Sequence, residues 1–406
     1  MSSKHYRFIP YRKHDLVEMC LQENKLSTEA DDFRQLYYML SSIFHFEFHQ
    51  IVESLKDCYT ALDPNTDTRI FDNAKPLSEL DFVELLNGLL VKANYEVITQ
   101  TDLDAALNES SLFKIRLHVD FDDFSEVLLF CRGVSQRKET LSSFFGLVKK
   151  EISFTNYDRV VLFIRFHDEY QQAKTALPGC KPGATMLKLF QNVPKADLEM
   201  LFPNTAVRMR LSDKFMIGVP AVISGGIVLT TKLGASLVLL GSLFGFWFGL
   251  SAEPVELNKT SIAILLAGIA AFAGYLWKQF SVFKNRKLQF MQALTQNLYF
   301  KNLDNNAGVF HRLADDAEEE ECKETILAYY FLQTQGPMTA KQLDECIEDW
   351  LAKKWQCHVD FEIDDALHKL LTLSLVKSDG DVYRAIGIKD GIATLDKRWD
   401  NYFTAN

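Results

Sequence analysis

The chain has 406 residues, 48% of them hydrophobic and 24% charged, so it is long enough for two or three domains with a sizeable core. Its 44 Lys and Arg against 54 Asp and Glu give a formal net charge of -10, which argues against a nucleic-acid binder with a basic face. The seven cysteines are odd in number and form no C-x-x-C pair, a pattern that indicates reduced thiols rather than a disulfide framework or a zinc site.

Residues 1–205 are predicted to form an α+β domain. A long apolar pattern at helical spacing runs from Glu29 to Leu62 and ends at the turn-rich "DPNTDT". A second amphipathic helix follows the N-cap residue Ser78. The runs "KIRLHV", "EVLLFCRG" and "RVVLFIRF" are rich in β-branched and aromatic residues and therefore predict strands.

Residues 206–284 are predicted to form a transmembrane α-helical hairpin. Two uncharged runs, at about 233–250 and 260–277, reach the roughly 17 to 20 residues that a helix needs to cross the hydrocarbon core. The preceding apolar residues 215–231 contain Pro220 and two adjacent glycines, which favours an interfacial or re-entrant segment, with a third crossing as the alternative. Basic residues flank the hairpin and its loop is acidic, so the positive-inside rule places both termini in the cytosol.

Individual residues fit such a hairpin. Lys232 precedes the first crossing and is predicted to anchor it at the interface, with a role in an ion path as the alternative. Trp247, Tyr275 and Trp277 are predicted as aromatic anchors near the membrane boundaries. Small residues at helical spacing predict close packing of helices, either within the hairpin or between copies: Gly241, Gly245, Gly249, Ala267, Ala271 and Gly274.

Residues 285–320 are predicted as a juxtamembrane helix and turn, and residues 321–406 as a winged-helix-like α/β module. The acidic run "DDAEEEE" is interpreted as the first turns of a helix, where carboxylates complement the helix dipole. The module has a helix capped by Thr339, a second helix, and a hairpin that turns at Asp379–Gly380. Its surplus of acidic residues favours protein contacts over DNA, because phosphate neutralisation requires Lys and Arg.

The most metal-like stretch is "HFEFHQ", where His45 and His49 are four residues apart on a helix and could bind one ion. A zinc peptidase needs the glutamate directly after the first histidine, whereas Glu47 comes two residues later and faces away. The sequence contains no Walker loop, nucleophile elbow or dinucleotide fingerprint. It therefore gives no positive case for catalysis and predicts no metal or cofactor.

Long motifs on both sides of the predicted hairpin, "LKLFQNVPKADLEMLFPNTAVRM" and "YFKNLDNNAGVFHRLADDAEEEECKETILAYYFL", resemble the transmembrane protein 143 family, a domain of unknown function. The stretch "HYRFIPYRKHDLV" is similar too. The resemblance implies a membrane protein with two crossings, mitochondrial in animals and also found in bacteria and plants, and it supplies no reaction. We expect the two blocks to pack together as a structural collar beside the membrane. The residues that match the pattern are Pro194, Asp197, Leu198, Glu199, Phe202, Pro203, Asn305, Asn306, Glu321, Lys323 and Glu324.

These features predict an integral membrane protein of unestablished molecular function. Because the N-terminal residues show no signal peptide and a poor transit peptide, we expect the bacterial inner membrane, or a mitochondrial membrane if the source is eukaryotic. The favoured role is a non-catalytic, membrane-anchored scaffold or regulatory protein that binds a protein partner or its own copies. The alternatives are a small-solute or ion pathway formed by oligomerised hairpins, and a membrane-bound metal-dependent hydrolase using His45, Glu47 and His49. The predicted partners are the lipid bilayer and protein, not nucleic acid.

Overall fold

The computed structural model describes residues 5–60, 62–63, 79–99, 101–103, 116–143, 148–170, 182–208, 234–249 and 258–403. The chain divides into two compact units. The first unit consists of residues 1–110, 120–203 and 301–406, and the second of residues 111–119 and 204–300. The first unit thus combines residues from both ends of the chain, while the finer domain boundaries drawn from the sequence stay predictions.

Helices form where apolar residues recur every three or four positions. In the longest helix of the first unit this spacing gives Phe33, Leu36, Leu40 and Phe44, which are all buried. The helices are α1 Lys13–Leu21, α2 Ala30–Tyr59, α3 Glu79–Lys92, α4 Gly234–Trp247, α5 Lys259–Lys301, α6 Ala307–Gln335, α7 Ala340–Trp355, α8 Ile363–Thr372 and α9 Ile388–Asp400. The two helices predicted before residue 100 are confirmed as α2 and α3.

A five-stranded antiparallel sheet, in the order β2-β4-β5-β6-β8, lies against helices of the first unit. The strands of the chain are β1 His5–Tyr6, β2 Glu96–Val97, β3 Arg116–His118, β4 Phe124–Ser143, β5 Val148–Phe166, β6 Thr185–Pro194, β7 Ala206–Arg208, β8 Asn302–Asn305, β9 Met338–Thr339, β10 His358–Val359, β11 Val376–Asp379 and β12 Val382–Ala385. The register places Phe130, Val161 and Leu189 side by side on three neighbouring strands. All three belong to the buried core, so this face of the sheet packs against the helices.

Helix α6 crosses the centre of the core. Seven consecutive residues, Ile326–Leu332, are buried. Seven residues make about two turns, so apolar neighbours enclose this part of the helix on all sides. Its main neighbours are α2, α8, α1 and α3.

The C-terminal part of the first unit contains a three-stranded sheet in the order β11-β12-β9. The predicted hairpin is confirmed, but its turn lies one residue later than predicted. Asp379 pairs with Val382, so the two-residue loop is Gly380–Asp381, and Gly380 has the positive φ of 64° that such a loop requires at its first position. The predicted cap is confirmed as well. The Thr339 side chain accepts from the Gln342 backbone N–H, and the Gln342 side chain accepts from the Thr339 N–H, which together form a capping box at the start of α7.

The second unit contains α4, most of α5, and the antiparallel strand pair β3–β7. In the part of the chain that the structure describes, none of the helices combines the length and the apolar character that a membrane crossing requires. Helix α4 has 14 residues, or about 21 Å at about 1.5 Å per residue, against about 30 Å of hydrocarbon. Helix α5 has 43 residues but carries charge in its first turn and again from Lys278 onward.

The predicted transmembrane hairpin, with crossings at 233–250 and 260–277, is therefore wrong. The same finding contradicts three further predictions: that the chain is an integral membrane protein, that it lies in a bacterial or mitochondrial membrane, and that it acts as a membrane-anchored scaffold. The two membrane-based alternatives, a pathway built from hairpins and a membrane-bound hydrolase, fail on the same ground.

Most residues singled out for the hairpin lie in α4 and α5. Trp247 and Trp277 are exposed, while Tyr275 and Gly245 are half-buried. Among the described residues, nothing lies within 4 Å of a Cβ placed on the glycines of the proposed packing stripe, namely Gly241, Gly249 and Gly274. Ala267 is exposed and Ala271 lies in α5. Lys232 and residues 215–231 lie outside the described residues.

Candidate functional site

The acidic run of the sequence lies in the middle of α6. Because this helix begins at Ala307, the interpretation of the run as helix-start residues is wrong. Burying a charge costs several kcal/mol unless it is paired, so these side chains need partners from other elements. Six charged residues of α6 are buried, and we call them the charge cluster: Asp316, Glu318, Glu320, Glu321, Lys323 and Glu324.

Two arginines of the sheet meet the first acids of this cluster. Arg132 on β4 and Arg159 on β5 are direct cross-strand partners, an arrangement in which two like charges repel. Asp316 relieves the repulsion because it pairs with both: its Oδ1 lies 3.1 Å from Arg132 Nη1, and its Oδ2 pairs with Arg159. Arg132 Nη2 also donates to Glu320 Oε1 at 2.7 Å. Burial would lower the pKa of Arg159, but the adjacent Asp316 carboxylate raises it on balance.

The next acid, Glu318, pairs with His45, one of the two histidines that were considered from the sequence as metal ligands and were not predicted to be so. It pairs with Lys13, and its Oε2 lies 2.8 Å from His45 Nδ1. Glu47 instead pairs with Arg398 at 3.4 Å, and His49 is exposed. The described residues contain no group of three His, Cys, Asp or Glu side chains that could hold a metal ion. His45, Glu47 and His49 therefore do not form one site, because His45 and Glu47 pair with different neighbours and His49 is exposed.

Glu321 and Glu324 are two further buried acids of the charge cluster. Lys369 Nζ lies 3.1 Å from Glu321 Oε1, and Asn94 Nδ2 donates to Glu324 Oε1 at 3.2 Å. Burial raises the pKa of Glu324 to about 8, although the charge of Lys369 opposes this rise. Glu324 therefore holds its proton at neutral pH.

A cleft of about 330 Å³ opens beside the charge cluster. One wall is the chain from Phe8 to Arg12, and the other carries Arg132, Arg159 and Glu320. The Arg132 guanidinium lies 4.6 Å from the centre of the Phe8 ring, within the range of a cation–π contact. The N-terminal residues thus cover charged side chains that water would otherwise reach.

A second feature lies at the surface, where the end of α9 meets α2. Phe46 contacts three rings, with centroid distances of 4.6 Å to Tyr402, 5.3 Å to Phe403 and 6.1 Å to Trp399. Trp399 is 42% exposed and Phe403 is 77% exposed. We call these four residues the aromatic surface. Large apolar groups left in water at one place mark a contact site more often than scattered ones do.

Polar groups border the aromatic surface. Arg398 donates to the Thr372 carbonyl at 3.3 Å and pairs with Glu47. Arg398 and Lys397 line a groove of about 450 Å³ between the end of α8 and α9. The pKa of Tyr402 is raised by partial burial and by the charge of Glu47, against the opposing effect of Arg398. The site can therefore combine apolar contact with ion pairing.

The two sequence blocks of the family resemblance meet in the first unit, since Lys188 on β6 pairs with Asn305 on β8. Asn306, just before α6, donates its backbone N–H to Leu187 O at 2.8 Å and accepts from Tyr59 Oη at 3.1 Å. The expected packing of the blocks is thus confirmed, although the membrane beside them is not. Pro194 ends β6, and the 3-10 helix Lys195–Leu201 then carries Asp197, Leu198 and Glu199, followed by Phe202 and Pro203. Glu321, Lys323 and Glu324 lie in the charge cluster.

Comparison with known families bears on this region of the chain. Residues 157–308 match the family DUF3754, described as a protein of unknown function. The DUF3754 segment runs from β5 to the start of α6 and includes Arg159, so it supports the domain of unknown function expected from the motifs. No solved structure matches the chain.

Sequence reasoning missed the aromatic surface although it singled out the right stretch. The motif "HFEFHQ" attracted attention for its histidines, whereas its Phe46 and Glu47 carry the surface contacts. One signal was available: the C-terminal stretch "RWDNYF" concentrates Arg, Trp, Tyr and Phe within six residues, the types enriched in protein interfaces.

Proposed function

We propose that the first unit acts in protein–protein association and that its aromatic surface binds a second copy of the chain. The observation that supports this most directly is the set of four rings that meet at Phe46, two of which, Trp399 and Phe403, are exposed. Trp, Tyr and Arg dominate the binding energy of characterised interfaces, and the aromatic surface and its border contain all three.

Charge complementarity favours a second copy as the partner. Arg398 precedes and Asp400 follows Trp399; Asp400 is exposed, whereas Arg398 is half-buried and also pairs with Glu47. If two copies pair their α9 ends antiparallel about Trp399, Arg398 of one copy lies opposite Asp400 of the other, and the same pair forms again by symmetry. Two-fold interfaces are self-complementary in this way.

The test is the association state of the intact chain, measured by sedimentation over a range of concentrations. We expect a dimer, and we expect the combined Trp399→Ser and Phe403→Ser variant to raise the dissociation constant on the order of a hundredfold or more. Val97→Ser is the matched control, because Val97 is an apolar residue of similar exposure, 61%, on β2. A chain that stays monomeric at its highest soluble concentration would contradict the proposal.

Charge reversal tests the pairing geometry separately. Arg398→Glu and Asp400→Arg should each weaken the dimer, because like charges then face each other across the axis. Combined in one chain, the two substitutions restore opposite charges and should recover the dimer. Loss of association in the double variant, with both single variants unaffected, would show that α9 pairs in another register.

We also propose that the chain is a relative of the transmembrane protein 143 family, with a bacterial source. The relation to this family is supported by the length of the motifs around Pro194, Asp197 and Asn306. All three residues fall in the DUF3754 segment. A nucleic-acid partner is not proposed, because the net charge of -10 would repel phosphates.

A further inference from the structure

The chain holds its own N-terminal segment, residues 5–12, as a binding protein holds a peptide. Strand β1 pairs in parallel with β10, and the Asp360 N–H donates to Tyr6 O at 2.9 Å. Asn94 Nδ2 donates to Arg7 O at 2.8 Å. Extended peptides that add a strand to a partner bind through main-chain hydrogen bonds of this kind.

The charge cluster continues this recognition of the backbone. Ile9 donates its N–H to Glu320 Oε2 at 3.1 Å, and its carbonyl accepts from Lys323 Nζ at 2.9 Å. Glu320 and Lys323 are themselves an ion pair of 2.9 Å, so one buried pair binds both backbone polar groups of one residue, its N–H and its C=O. Both contacts are made to the backbone, so any selectivity at this position comes from the buried site that encloses the Ile9 side chain.

Side chains of the segment enter separate sites. Ile9 is buried, with 2% of its surface exposed, whereas Arg7 and Pro10 are exposed and Tyr6, Phe8 and Tyr11 are half-buried. Phe8 lies on the Arg132 guanidinium, and Tyr11 Oη donates to the Trp355 carbonyl at 3.3 Å. Arg7 pairs with Glu362 at 2.8 Å. Among the side chains described at positions 6–12, Ile9 is the one that is fully buried, so we call it the anchor of the segment. Because α1, which follows, has buried residues of its own, the segment can leave while α1 stays packed.

We infer that the groove filled by residues 5–12, which β10, Asn94 and the charge cluster border, is a binding site for an extended segment of a partner protein, and that residues 5–12 occupy it until such a segment displaces them. The fitting segment has a cation, an aromatic residue and an aliphatic residue in succession, and a second aromatic residue two positions later. These are the positions of Arg7, Phe8, Ile9 and Tyr11. This site is independent of the aromatic surface and does not rest on the proposed dimer.

The experiment uses the full chain with Ile9→Asp, which removes the anchor of the internal segment, and a fluorescent peptide of sequence HYRFIPYRK. We expect the peptide to bind this variant saturably and at least about tenfold more tightly than it binds the unmodified chain, whose groove is already occupied by residues 5–12. The same peptide with Ile9→Asp is the control and should not bind. A folded Ile9→Asp chain that fails to bind the peptide would overturn the inference.

A second measurement needs no variant. Hydrogen exchange of the unmodified chain should show the amides of residues 6–12 exchanging through local opening, at least about a hundredfold faster than the buried amides of α6. Excess peptide should leave the α6 amides unchanged. Exchange of residues 6–12 only through global unfolding would show that the segment is a fixed part of the core, and the inference would fail.

Discussion

Substituting Glu324 with Gln should remove a large pH dependence of stability. Glu324 is 4% exposed, and the groups that act on it are Asn94 by hydrogen bonding and Lys369, Glu320 and Asp365 by charge. Burial raises its pKa from the ordinary 4.5 to about 8. Between these values the folded protein holds a proton that the unfolded chain has lost.

The sign and size of the effect follow from linkage. Because the folded state binds more protons in this window, the free energy of unfolding falls as pH rises from 4.5 to about 8, and it levels off above that. At about 1.4 kcal/mol per pH unit, the full fall contributed by this carboxyl is about 5 kcal/mol. Glutamine keeps the shape and cannot ionise, so the variant lacks this contribution.

Urea unfolding of both proteins from about pH 4 to about pH 9 measures the difference. We expect the stability of Glu324→Gln relative to the unmodified chain to rise by about 5 kcal/mol across this range. Glu345→Gln is the control, because the Glu345 side chain is 66% exposed and its substitution should leave the pH dependence unchanged. Parallel curves for Glu324→Gln and the unmodified chain would show that Glu324 is already ionised when folded, and the reasoning would be refuted.

Two further substitutions test other contacts, each by denaturant unfolding. Arg132→Met leaves Asp316 and Glu320 short of a buried cation and should cost about 3–5 kcal/mol, whereas Lys353→Met, at an exposed pair, should cost less than about 1 kcal/mol; equal effects would contradict the importance of burial. Thr339→Ala removes the cap of α7 and should cost about 1 kcal/mol, most of which Thr339→Ser should recover, since Ser offers the same acceptor.

Local structure could be predicted from the sequence where interactions between nearby residues determine it. The apolar spacing around Phe33 and Leu40 predicts α2, and the Thr339 cap predicts α7, because neighbours within four residues determine both. The strand-like run "RVVLFIRF" lies in β5 for the same reason. Which strands pair with β5 could not be predicted from the sequence, because the pairing depends on residues of β4 and β6 that are distant along the chain.

The charge cluster could not be predicted from nearby residues, because its members pair with residues that are distant along the chain. Arg132 and Glu320 are 188 positions apart, and Glu47 and Arg398 are 351 positions apart. Without these partners an acidic run resembles an exposed helix start, so the burial of Glu320 and Glu324 could not be inferred. The membrane prediction failed for a related reason: it took the length of the uncharged run 233–250 as the length of a helix, whereas α4 has 14 residues.

The placement of α6 has a consequence for synthesis of the chain. Helix α2 and strands β4 to β6 leave the ribosome before residues 204–300, and the helix that fills the space between them comes later. At about 5 to 20 residues per second, the delay is on the order of ten seconds. During that interval α3 can cover part of α2 and β5, but the apolar residues of α2 that contact α6 lack this neighbour. Nascent chains halted before Ala307 should therefore be clients of chaperones that bind exposed apolar segments.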